Sequence, residues 1–200
     1  PSCPADVADG RVVRGGRAWR SPGCLVRVLQ GRAMKRLLIF TGDGKGKTTA
    51  AFGMAFRAAG HGLKVKIIQF IKADRNTGEL ATAARVGIEV VQAGLGFVPK
   101  RSSPAFVKHA RAARAGLTMA REALSTRSHD IVILDEVCNA VSLDLIETSE
   151  VVETLSAAGD ESIVVLTGRG APAELIAQAD TVAEMKAVKH AFDAGVKAMK

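Results

Sequence analysis

The chain has no tyrosine, one tryptophan (Trp19) and seven phenylalanines in 200 residues. At 4% aromatic content it has few of the flat side chains on which single-stranded nucleic acids stack. Its cysteines, Cys3, Cys24 and Cys138, show no metal-ligand spacing, which leaves no home for a zinc or iron–sulfur centre. They form no obvious disulfide set either, and that fits a reducing, cytoplasmic location. No apolar run approaches the roughly 20 residues of a membrane-spanning helix. The N-K-x-D motif with which GTPases read guanine is also missing.

The net charge of +8 looks like a nucleic-acid signal until it is divided. Residues 1–33 carry six arginines and two aspartates, so half of the excess lies there. That stretch, rich in arginine and glycine and without a periodic apolar segment, is expected to be a disordered extension. Met34 and the strand after it look like a natural start, so the expected domain is 34–200. Its remaining charge is modest and argues only weakly for DNA or RNA. With 48% hydrophobic residues, the chain suits one domain with a sizeable core.

What is present is a phosphate-binding loop. Arg36–Phe40 reads as a buried strand, and Ala50–Ala59 as a helix stopped by Gly60 at its C′ position. Between them lies Thr41-Gly42-Asp43-Gly44-Lys45-Gly46-Lys47-Thr48-Thr49. A strand, a glycine loop and a helix in that order aim backbone N–H groups and the positive helix end at one anion. Lys47 then reaches the terminal phosphates, and the Thr48 hydroxyl is a magnesium ligand. Thr41 stands where G-x-x-x-x-G-K-[ST] has its first glycine.

Strands and helices alternate beyond the loop. Lys64–Phe70, Ile88–Val91, Ile131–Glu136 and Ser162–Thr167 read as strands, with a last one over Thr181–Val188. Ser103 is expected to cap a long helix with Pro104 at its first position. Phe106, Ala110, Ala113, Leu117, Ala120 and Leu124 form its apolar face, while Lys108, Arg111, Arg114 and Arg121 read as solvated. Apolar runs without strict alternation mean strands buried on both faces, hence a three-layer α/β/α domain with a mainly parallel sheet. Ligands of such sheets sit beyond the carboxyl ends of the strands.

Three further groups gather there. Leu134-Asp135-Glu136 closes a strand with two carboxylates in the Walker B manner, and spacing alone does not say which touches a metal. Thr167-Gly168-Arg169-Gly170 ends the next strand and brings Arg169 to the same edge. Gly94-Leu95-Gly96-Phe97 follows the third strand, where an aromatic on a glycine-flanked loop suggests a wall for a flat ligand. Burial in the core is the commoner fate of a phenylalanine. His61, His109, His129 and His190 form no cluster in the sequence.

In order, Thr41–Gly53, Gly60–Lys72, Gly94–Phe97, Ile133–Ala140, Leu166–Pro172 and Val188–Lys197 resemble the P-loop corrinoid adenosyltransferases. These are the ATP:cob(I)alamin and cob(I)yrinic acid a,c-diamide adenosyltransferases, in which a threonine at position 41 is normal. The resemblance implies a P-loop NTPase (RecA-like) fold and transfer of the 5′-deoxyadenosyl group of ATP to the cobalt of a reduced corrinoid, with tripolyphosphate released. It implies that Gly42, Asp43, Gly44, Lys45, Gly46, Lys47, Thr48, Thr49 and Arg169 bind ATP. Thr48 and Glu136 would share Mg2+ with Asp135 beside them, Lys47, Thr48 and Glu136 would be catalytic, and Gly96 and Phe97 would border the corrin. It further implies a homodimer and a separate electron donor, such as a flavoprotein reductase, since no redox motif is present and no bound redox cofactor is expected. Neither a nucleic acid nor a membrane is expected as a partner. The chain departs from the family at Pro99, where a tryptophan is usual, at Met199, where a glutamine is usual, and over residues 1–33. A P-loop kinase or a RecA-like nucleic-acid-dependent ATPase would use the same loop and carboxylates.

Overall fold

The computed structural model describes residues 36–189, all within the compact unit Met34–Lys200. The extension expected over 1–33, Trp19, His190 and Met199 lie outside the described residues. The elements are β1 (Arg36–Thr41), α1 (Lys47–Gly60), β2 (Val65–Gln69), α2 (Gly78–Arg85), β3 (Glu89–Gln92) and α3 (Phe106–Ser125). They continue with β4 (Ile131–Asp135), α4 (Val137–Ser142), α5 (Thr148–Ser156), β5 (Ile163–Thr167), α6 (Ala173–Gln178) and β6 (Thr181–Glu184).

The six strands form one sheet in the order β3-β2-β4-β5-β1-β6, and every pairing is parallel. All the strands therefore end on one edge of the sheet. The loops after β1, β4 and β5 are neighbours there, because β5 lies between β4 and β1.

Successive strand residues point to opposite faces, and both faces are covered. Leu37, Ile39, Ile68, Leu134, Val164 and Leu166 face α3, α4 and α5, joining Leu117, Leu124, Val137 and Leu155 in one core. Ile67, Ile131, Ile133 and Val165 face the other way, onto Ala51, Phe52, Ala55 and Ala58 of α1. This is why the strand sequences run apolar without alternation. Burying each large aliphatic side chain contributes about 1.5–3 kcal/mol.

The apolar face of α3 is the expected one: Ala110, Ala113, Leu117, Ala120 and Leu124 are buried. Its basic side is solvated, and Arg114 and Arg121 pair with Glu150 and Glu153 of α5 at 2.9 Å each. The start of α3 differs from expectation. Ser103 is not the cap; residues 101–105 form turns, and the helix begins at Phe106 with Ala105 before it. The Ser103 carbonyl accepts from the Phe106 N–H at 2.9 Å, and that turn takes the bond a helix start would have used.

At the end of α1, Gly60 is the last helical residue, and Gly62 at φ 79° takes the left-handed position. The final strand stops at Glu184 instead of Val188. The Met185 N–H still bonds the Thr41 carbonyl (2.8 Å), but its own carbonyl turns to the Gly44 N–H (2.7 Å). Past β6 the chain thus becomes a strap along the phosphate loop.

One close approach yields a stability test. A Cβ on Gly94 would overlap the backbone of Ile71, an atom set that cannot yield. Gly94→Ala is expected to lower the unfolding free energy by about 1–3 kcal/mol, read as a shift of the denaturant midpoint at constant slope.

Candidate functional site

The loop after β1 is shaped by what flanks it. Thr41 is buried at the end of β1, and its hydroxyl accepts from the Ala171 N–H at 3.2 Å, tying that end to the loop after β5. A hydroxyl at this position therefore has a structural use that glycine lacks. On the other side, a Cβ on Gly42 or Gly44 would come within 2.5 and 2.7 Å of the Met185 carbonyl oxygen. The strap is the reason that these two positions carry no side chain. Gly46, at φ 111°, makes the left-handed turn that opens α1, so the free N–H groups of its first turn face the loop.

The Lys47 ammonium donates to the carbonyls of Gly42 (2.7 Å) and Gly44 (2.6 Å), centred over the loop. Burial, and then the nearby Arg169 charge, lower its pKa from the ordinary lysine value. The Thr48 hydroxyl donates to Asp135 Oδ1 at 2.8 Å and accepts a long bond from the Lys72 ammonium at 3.4 Å, which leaves one lone pair of its oxygen without a protein donor among the described residues.

The two carboxylates at the end of β4 have opposite situations. Asp135 is fully buried and fully subscribed. Oδ1 accepts from Thr48 and Thr167, at 2.8 Å each. Oδ2 accepts from Gln69 (2.9 Å) and from Lys72 (3.2 Å). Four donors use the roughly four lone-pair sites of a carboxylate.

Glu136 instead lines the cavity, and its Oε2 is buried without a hydrogen-bond partner among the described residues. Its backbone is held in the left-handed region, φ 63°, a cost that surrounding structure must sustain. The Glu136 N–H donates to the Thr167 hydroxyl at 2.8 Å, which is part of that support. Burial first, and then the neighbouring Asp135, raise the pKa of the Glu136 carboxyl.

A cavity of about 730 Å³ is lined by Asp43, Gly44, Lys45, Gly46, Lys47, Thr48 and Thr49 together with Glu136, Asn139, Thr167, Gly168, Arg169 and Ala187. All the candidate phosphate and metal residues except Gly42 and Asp135 thus share one space. Gly42 lies under the strap, and Asp135 lies behind Thr48. Arg169 is exposed and faces Asp43 across 3.9 Å. Gly96 and Phe97 are not part of this cavity. They follow β3, four strand spacings from β1, or roughly 19 Å along the rim. Phe97 is 94% exposed, so it is not a core residue.

The arrangement suits Mg2+ and a polyphosphate. No group of three or more His, Cys, Asp or Glu residues among the described residues could hold a metal alone. Mg2+ is commonly bound by one or two protein oxygens, with phosphates and waters completing the shell. The unpartnered Glu136 oxygen and the Thr48 hydroxyl fit that donor set.

Several neighbours of the site have no role assigned from the sequence, although Gln69, Lys72, Asn139 and Thr167 lie within the stretches that carry the family resemblance. Asn139 accepts from the Arg169 N–H at 2.6 Å and fixes the loop after β5. Thr167, Gln69 and Lys72 bracket Asp135, and Gln92 extends that group. For Gln69, Gln92 and Thr167 the local signal is a polar residue placed where an otherwise apolar strand ends.

Residues 33–200 match the family model for ATP:corrinoid adenosyltransferase BtuR/CobO/CobP. The chain is similar to the corrinoid adenosyltransferase of Escherichia coli (strain K12), 42% identical over 165 residues, covering 81% of this chain and 82% of that one. It is 40% identical over 167 residues to corrinoid adenosyltransferase CobA of Salmonella typhimurium (strain LT2), covering 81% and 82% of the two. The Pseudomonas aeruginosa corrinoid adenosyltransferase is 40% identical over 164 residues, covering 82% and 81%. Among solved structures, flagellar accessory protein FlaH from Methanocaldococcus jannaschii matches with a TM-score of 0.51 and 9% identity, over 75% of this chain and 70% of that one. At that identity the likeness is one of fold alone.

Proposed function

The chain belongs to the ATP:corrinoid adenosyltransferase family, and on that premise we propose how its own residues transfer an adenosyl group. A corrinoid cobalt in the +1 state attacks C5′ of the ATP ribose, a cobalt–carbon bond forms, and the C5′–O5′ bond breaks. Its electron pair leaves on tripolyphosphate. The observation that carries this reading is the convergence of Lys47, Thr48, Arg169 and the unpartnered Glu136 carboxylate on one cavity large enough for a nucleotide.

Cobalt(I) is itself a strong nucleophile, so no side chain needs to take a proton. What remains for the protein is alignment and the stabilisation of charge growing on the leaving group. Gly42 to Thr49 hold the triphosphate, with Lys45, Lys47 and Arg169 supplying positive charge. A cation about 4 Å from a phosphate charge interacts by roughly 4 kcal/mol at an effective dielectric near 20.

Thr48 and Glu136 hold Mg2+, which neutralises part of the leaving group's charge. Asp135 acts from behind, accepting the hydrogen bond of the Thr48 hydroxyl so that its oxygen stays oriented. Gly96 and Phe97 border the corrin ring further along the rim, and Pro99 replaces the aromatic that the family usually has beside them. Reducing the cobalt falls to a separate electron donor such as a flavoprotein reductase. Working as a homodimer in the cytoplasm completes the reading.

The test is direct. With ATP, Mg2+ and chemically reduced cobalamin, the absorbance of an adenosyl–cobalt bond should appear in proportion to enzyme. Its absence, with ATP consumed, would favour a phosphoryl-transferring P-loop enzyme.

A further inference from the structure

Three side chains at the ends of β3, β2 and β4 form a continuous polar ladder. Gln92 is registered opposite Gln69, and Gln69 opposite Asp135. Residues registered across neighbouring strands lie on one face and within contact distance. Gln92 Nε2 donates to Gln69 Oε1 at 3.0 Å, and Gln69 Nε2 donates to Asp135 Oδ2 at 2.9 Å. Asp135 in turn holds the hydroxyl of Thr48. The ladder thus starts at the metal corner and ends at the edge strand that leads into residues 93–97.

The same stretch of β2 also seats that loop by its backbone. The N–H groups of Ala93 and Gly94 both donate to the Gln69 carbonyl, at 2.9 and 3.1 Å. The Gly96 N–H donates to the Ile71 carbonyl at 2.8 Å, and Gly94 packs against Ile71 with no room for a side chain. Gln92 Nε2 makes a second bond, to the Asp74 carbonyl at 2.9 Å, so the loop after β2 is included. Its Oε1 is buried and unpartnered, leaving acceptor capacity unspent at the loop end. The ladder is buried at Asp135 and Gln69 and partly buried at Gln92 on the edge strand, and it gives the carboxylate's position a physical link to the loop.

We propose that Gln69 and Gln92 are positioning residues that couple the two substrates, making corrinoid binding at the Phe97 loop depend on nucleotide and Mg2+ at Thr48. The inference rests on the adenosyltransferase reading of Phe97. When Mg–ATP draws on the Thr48 hydroxyl, Asp135 adjusts, and Gln69 and Gln92 carry that adjustment to the loop. By linkage, corrinoid must then tighten nucleotide binding by the same factor.

The experiment measures affinity for cob(II)alamin, which does not react without a reductant, in the presence and absence of Mg–ATP. It uses the full chain and two variants. Gln92→Leu removes the ladder's last rung, and Gln92→Glu keeps its shape but cannot donate to Gln69. In the native protein Mg–ATP should tighten cob(II)alamin by at least about fivefold, the low end of typical coupling. In both variants that ratio should fall to within about twofold of unity, while affinity for Mg–ATP alone stays near native. Retained nucleotide affinity also verifies that the variants fold. A native ratio near one, or an unchanged ratio in either folded variant, overturns the coupling. Failure of the native protein to bind cob(II)alamin under any condition instead overturns the reading of Phe97 on which the coupling stands.

Discussion

Lys47→Ala is expected to lower the rate of adenosyl transfer by on the order of 10²–10³ or more, with the fold intact. The magnitude is that of removing one preorganised donor from developing negative charge. Three observations point to this lysine over its neighbours. Its ammonium is held over the loop by the Gly42 and Gly44 carbonyls, whereas Lys45 is exposed and makes no such bond among the described contacts. It is partly withdrawn from water, where a charge acts more strongly on a bound anion. The loop would keep its shape without it, because the Met185 strap and the Gly46 turn are independent of the side chain. Single-turnover rates with saturating ATP and reduced corrinoid test this, with thermal unfolding as the control. Near-native turnover in a folded variant would remove the loop lysine from the mechanism.

Glu136→Gln is expected to raise the Mg2+ concentration needed for half-maximal activity by at least about tenfold, the scale on which even outer-shell partners act. The glutamine keeps the volume and one carbonyl oxygen but loses the charge. The variant should fold normally, because Glu136 Oε2 has no hydrogen-bond partner to lose. Asp135→Asn makes the contrast. Its amide nitrogen would face a donor on either side of the carboxylate, since Thr48 and Thr167 serve one oxygen and Gln69 and Lys72 the other. That change should cost stability by about 1–3 kcal/mol or more through unpaired buried groups. A metal titration unchanged by Glu136→Gln would move the ligand role to Asp135.

Much of this site is legible in the sequence because its residues do local work. The glycines, Lys47 and Thr48 sit in one short loop, and Asp135 and Glu136 are adjacent at one strand end. A parallel sheet then places both groups on the same edge whatever the strand order. The order itself, with β5 inserted between β4 and β1, is set by contacts distant in sequence, and so is the position of Thr167 between the two motifs. Spacing also could not divide the labour of Asp135 and Glu136. Burial and hydrogen-bond supply separate them, and these belong to Gln69 and Thr167 on other strands and to Lys72 in the loop after β2.

The misjudged boundaries have the same origin. Ser103 and Pro104 carry an N-terminal helix signature, yet the turn over 101–105 postpones the helix to Phe106. The last strand ends early because Met185 is drawn to Gly44, a contact between segments more than a hundred residues apart. Phe97 is a different matter. An exposed aromatic and a buried one look alike in sequence, and only the fold leaves this one 94% exposed.

The most direct test of the central claim is the identity of the phosphorus-containing product, read by 31P NMR after turnover with ATP, Mg2+ and reduced corrinoid. Attack at C5′ requires tripolyphosphate in equal amount to the adenosylated corrinoid. ADP with orthophosphate or a phosphorylated acceptor, and no alkylated corrinoid, would contradict it.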